Sequence, residues 1–116
     1  MNKALRVPDY LGHILEAIER IKEYVADMDE TAFLSSHLVQ DAVIRNIEII
    51  GEASNNIQRV DSVFAAQHSD IPWQVMYAMR NRVSHGYDKV DFEMVWKIIH
   101  NDLPVLHRLI QKAQTP

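Results

Sequence analysis

Leu11, Ile14, Leu15, Ile18, Ile21 and Val25 recur at intervals of three and four residues. That spacing gathers apolar side chains on one face of an α-helix and is incompatible with the two-residue repeat of a strand. It predicts a helix over residues 8–27, with Pro8 in the first turn, where a missing N–H costs nothing. The same test selects three more helices. Over about 37–60, Val39, Ala42, Val43, Asn46, Ile50, Ala53, Ile57 and Val60 form an inner stripe, while Ile44, Ile47 and Ile49 are apolar on other faces. A helix apolar on nearly every side is either central or also covered by a second copy of the chain. Gly51 in its middle costs about 1 kcal/mol relative to Ala and marks a close helix crossing. Pro72 opens a helix carrying Trp73, Met76 and Met79 and stopped by Gly86. Asp91 is a good N-cap for a last helix to about Gln114, with Val95, Ile98, Ile99, Leu103, Leu106 and Ile110 on its stripe. Pro104 should kink that helix. Residues 28–36 and 61–71 read as connectors, each with room for a short helical turn.

No stretch of useful length alternates with period two, and 3 Gly and 4 Pro leave little material for a many-turned β fold. The expectation is a single all-α domain over residues 1–116, a four-to-five-helix up-and-down bundle. Hydrophobic residues at 47% supply a core, and charged residues at 24% supply a polar surface. The absence of cysteine excludes disulfides, thiolate metal sites and a cysteine nucleophile. With no signal peptide and no apolar run near the roughly 18 residues of a membrane span, the expected location is the cytoplasm. At a net charge of −4 the chain lacks the overall basic field of a general nucleic-acid binder, so any such contact must be local.

The end of the third long helix, MRNRVSHGYDKVD over 79–91, is where chemistry concentrates. Arg80 and Ser84 are four apart and share a face. His85 lies about 140° round from Arg80 on an ideal helix, but a helix ending there lets it turn back, and Tyr87 follows Gly86. An arginine fork binds phosphate oxygens and keeps its charge in a transition state. A histidine moves a proton near neutral pH. In RNA the 2′-OH is itself a nucleophile, so proton transfer and charge stabilisation suffice without a metal. The plainer reading is that basic residues complement a helix C-terminus.

The pattern Arg-x4-His-x-Tyr, here Arg80 to Tyr87, resembles the motif of HepT-type toxins of the HEPN superfamily. Ile71-Pro72-Trp73 with Met79-Arg80-Asn81 is similar to that family's third long helix. Arg45-Asn46 followed by Ile50-Gly51-Glu52-Ala53 is similar to its second, and Asp91 to Trp96 to the start of its last. The resemblance implies a homodimeric, metal-independent endoribonuclease with no cofactor, the toxin half of a toxin–antitoxin pair acting on RNA. It implies that Arg80 stabilises the scissile phosphate and that His85 is the general acid or base, with two copies of the motif meeting in a shared cleft. It also implies that an MntA-type nucleotidyltransferase antitoxin transfers AMP from ATP to Tyr87, adding a bulky anion that competes for Arg80 and repels RNA. Two other readings stay open: a non-catalytic module that binds a nucleotidyltransferase or nucleotide, and a structural helical adaptor.

Asn81, Arg82 and Ser84 are candidate supporting or RNA-contacting residues. Arg82, two from Arg80, faces elsewhere and either guides RNA or pairs with Asp88, the simpler role. Asn81 either orients a phosphate or caps the helix. Arg45, Asn46 and Glu52 either make polar bundle or interface contacts or orient the motif from across the bundle. Six histidines include His100 and His107, seven apart on one helix, but no Glu-x-x-His occurs. No metal site is expected, and Glu48 with Glu52 reads as a solvated or interface face.

Overall fold

A computed structural model describes residues 6–84 and 89–115. Seven α-helices are found there: α1 (Val7–Val25), α2 (Glu30–Leu34), α3 (His37–Val60), α4 (Ser62–Gln67), α5 (Trp73–Val83), α6 (Phe92–Lys97) and α7 (Leu103–Gln114). A π turn, Ile98–Asp102, joins α6 to α7. The described residues contain no strand, only an isolated antiparallel bridge between Ser84 and Val90, and the architecture is all-α. No described helix is long and apolar enough to cross a membrane.

The helix starts follow local chemistry. The backbone N–H of Arg6 donates to the Asp9 carboxylate at 2.9 Å. Asp29, Ser36, Asp61 and Asp91 each accept from an N–H three residues on, at 2.8, 3.3, 2.9 and 3.0 Å. Each bond satisfies a donor that the first helical turn leaves unpaired. The two connectors hold real helices, α2 and α4. Buried Phe33 anchors α2 against Phe92 and Trp96, with ring centroids 6.0 and 5.3 Å away. The Trp73 indole N–H donates to the Ala65 carbonyl at 3.1 Å and ties α4 to the start of α5.

Helix α3 is the central element, packed between α1 and α5, and α7 returns to cover α1. This placement revises the reading of the stripe on α3. Ile47, assigned to an outer face, is completely buried, whereas Val60 at the helix end is half exposed. Two neighbouring helices therefore account for apolar residues around α3, and that pattern does not by itself call for a second copy. Gly51 does mark a close crossing. A Cβ built there would lie 3.2 and 3.3 Å from the carbonyl oxygens of Tyr77 and Met76 on α5.

Pro104 does perturb the last helix, and the perturbation takes the form of the π turn. A proline ring clashes with the carbonyl four residues back and supplies no N–H. The chain accommodates it one residue earlier, where the Leu103 N–H bonds to the Ile98 carbonyl, a five-residue step.

Candidate functional site

The site is built on the C-terminal end of α5 and the middle of α3. Gly51 lies against Met76 and Tyr77, while Glu48, one turn earlier on α3, meets Arg80, one turn later on α5. The two helices therefore run antiparallel, and their close approach sets how far Arg80 stands from α3. Arg80 Nε donates to Glu48 Oε2 at 2.7 Å, with the arginine side chain 47% exposed. The ion pair thus fixes the guanidinium by its inner edge while keeping the group at the surface, where an anion can reach it.

Below Arg80 the helix stops earlier than the apolar spacing predicts. Its last residue is Val83, and Ser84 caps it in an extended conformation, so Gly86 is not the terminator. Ser84 Oγ donates to the Arg80 carbonyl at 2.8 Å and satisfies an end-of-helix acceptor. Ser84 also pairs with Val90, and the Asp91 N–H donates to the Val83 carbonyl at 2.7 Å. Residues 84 and 90 are therefore drawn together at the foot of α5. The sequence between them contains His85 and Tyr87, which with Gly86 and Asp88 lie outside the described residues.

The supporting residues divide. Ser84 bonds to the main-chain carbonyl of Arg80, an end-of-helix contact. Asn81 is exposed and takes part through its backbone carbonyl, which accepts from the Ser84 N–H at 3.3 Å; no side-chain cap from Asn81 is present among the described residues. Arg82 points to the other side of α5, along a cleft it shares with Asp102, Leu106 and Leu109. It is not brought together with Arg80. Its expected partner Asp88 lies outside the described residues.

Glu48 is the residue that sequence reasoning missed. Paired by spacing with Glu52, it reads as solvated surface, yet it is Arg80's partner from across the bundle. The only sequence signal was that a carboxylate sat on the helix expected to pack against the motif. Asn46 does not take that orienting role. It is buried, and its Nδ2 donates to the Ala42 carbonyl of its own helix at 2.9 Å. Its Oδ1 has no partner among the described residues, and the side chain lines a cleft against α1. Among the described residues no group of three or more histidines and carboxylates is arranged to hold a metal ion.

Residues 14–113 match the family model described as "Ribonuclease HepT-like". The chain belongs to the HepT-like ribonuclease family, within the HEPN superfamily. It is 42% identical over 106 residues to the "Probable ribonuclease HepT" of Thermococcus cleftensis, an alignment covering 91% of this chain and 94% of the relative. It is 41% identical over 112 residues to a "Gamma-glutamylcyclotransferase and putative RNase" of Methanocaldococcus jannaschii. There the alignment covers 97% of this chain but only 48% of the longer relative. No solved structure gives a significant match. The match to the HepT-like family spans the whole of α3 and α5 and so includes both Glu48 and Arg80.

Proposed function

We propose that this HepT-like chain is the endoribonuclease toxin of a toxin–antitoxin pair, with Arg80 and His85 as its catalytic residues. The observation that carries the reading is the placement of Arg80: a half-exposed guanidinium, held by Glu48, five residues before a histidine in a ribonuclease family. In the proposed reaction a base removes the proton of an RNA 2′-OH. The 2′ oxygen attacks the adjacent phosphorus, the bond to the 5′ oxygen breaks, and that oxygen leaves with a proton from an acid. The products are a 2′,3′-cyclic phosphate and a 5′-OH end. Arg80 holds the phosphate oxygens as charge builds on them, and His85 transfers a proton. Each chain has one such histidine, so a homodimer that joins two motifs supplies both an acid and a base.

Tyr87 is the proposed site of control. Transfer of AMP from ATP by a nucleotidyltransferase antitoxin joins the tyrosine oxygen to the α-phosphorus and releases pyrophosphate. In this reading the new phosphodiester adds a negative charge that competes for Arg80 and repels incoming RNA.

RNA cleavage by the purified chain in EDTA, wild type beside His85→Ala, tests the proposal. Mass spectrometry first establishes that Tyr87 is unmodified. The expected result is cleavage by wild type leaving cyclic phosphate ends, and a loss of roughly 10²- to 10⁴-fold in the variant. Equal cleavage by both proteins, or cleavage that requires an added divalent metal, refutes the mechanism.

A further inference from the structure

A cleft away from Arg80, between α1 and the π turn with α7, has a volume of about 610 Å³. That is within the roughly 300–1,000 Å³ range of small-molecule sites. Its walls are aliphatic: Ile18, Ile21 and Val25 from α1, and Ile99 and Leu103 from the other side. His107 Nε2 donates to Glu19 Oε2 at 3.0 Å and clips α1 to α7 across it.

The rim is basic although the chain is acidic overall. Lys22, Arg108 and His100 line the cleft. Neither Lys22 nor Arg108 forms an ion pair among the described residues, and the single lining carboxylate, Glu19, is already bonded to His107. His100 is held in place: its ring packs on Trp96 with centroids 4.1 Å apart, and its Nδ1 bonds to the Trp96 carbonyl at 2.9 Å. A carbonyl can only accept, so Nδ1 carries the proton, and Nε2 remains for another partner. The two histidines that share a face seven residues apart thus divide the work at this cleft, one bracing its walls and one on its rim.

We propose that this cleft binds a small amphipathic anion, a single aliphatic chain ending in a carboxylate. The two cations without an ion-pair partner among the described residues match a negative head group, and the five aliphatic side chains match a hydrocarbon tail. Among the described residues no phenylalanine, tyrosine or tryptophan lines the cleft, so they offer no large aromatic platform on which a nucleobase stacks. The proposal is independent of the ribonuclease reading.

Titration calorimetry on the full chain tests it with sodium decanoate, sodium octanoate and neutral octanol, all below their micelle or solubility limits. Saturable one-to-one binding of decanoate is expected. Each methylene withdrawn from water strengthens binding roughly fourfold, so octanoate, two methylenes shorter, should bind roughly fifteenfold more weakly. Octanol should bind about tenfold more weakly than octanoate, having lost a charge-assisted contact. Lys22→Ala with Arg108→Ala should weaken decanoate by about tenfold while leaving octanol unchanged. Ala26→Trp, at an exposed position at the cleft's end, should block all three ligands without disturbing the core. Non-saturating decanoate, octanol binding equal to octanoate, or decanoate binding unchanged in either variant overturns the proposal.

Discussion

Gly51→Val tests the geometry that sets the distance between α3 and the arginine of the motif. A Cβ at Gly51 would stand 3.2 Å from the Tyr77 carbonyl oxygen, 3.3 Å from that of Met76 and 3.7 Å from the Tyr77 Cα. Two of these are inside comfortable van der Waals contact, and all three atoms are backbone of α5. They cannot rotate away as a side-chain end can, so α5 must retreat by a few tenths of an ångström. With alanine, the gain of about 1 kcal/mol in helix propensity opposes that strain. The net change for Gly51→Ala should then be within about 1 kcal/mol of zero. Valine adds two methyl groups to the same crowded surface and loses side-chain freedom in a helix. Overpacking of this kind costs about 1–3 kcal/mol, a fall in Tm of roughly 4 °C per kcal/mol for a chain of this length. Urea denaturation of wild type, Gly51→Ala and Gly51→Val gives the three stabilities directly. A valine variant as stable as wild type would refute the close crossing and, with it, the account of how Arg80 is set against Glu48.

Three further outcomes can be measured. Asn46→Leu should stabilise the chain by about 1–2 kcal/mol in the same denaturation assay, because it removes a buried oxygen with no donor among the described residues and keeps the same branched shape; lower stability would show that the amide does structural service. Glu48→Gln should change stability by less than about 1 kcal/mol, because the ion pair is partly exposed. If Arg80 is catalytic, the same substitution should lower the RNA cleavage rate by about tenfold or more by loosening the arginine's position. Undiminished cleavage in a folded Glu48→Gln chain would remove Glu48 from the site.

The helices and their caps were legible in the sequence because both are local. The 3.6-residue repeat of α1, the oxygen-bearing N-cap Asp91, the proline before α5 and the glycine in α3 each act within a turn or two of chain. The Arg80 motif was legible for the same reason, as a short cluster of chemically unusual neighbours. What the tertiary structure decided joins residues far apart in sequence. The spacing of Glu48 and Glu52 does not reveal which carboxylate reaches an arginine 32 positions later; the antiparallel packing of α3 on α5 chooses Glu48. Periodicity could not decide whether α3 was covered by its own helices or by a second copy, since burial against either leaves the same pattern. The cleft between α1 and α7 depends on two helices far apart in sequence, α1 ending at Val25 and α7 beginning at Leu103, that leave space between them. Local sequence determines which backbone forms; side-chain packing among distant elements determines which groups become neighbours, and the proposed chemistry rests on those neighbours.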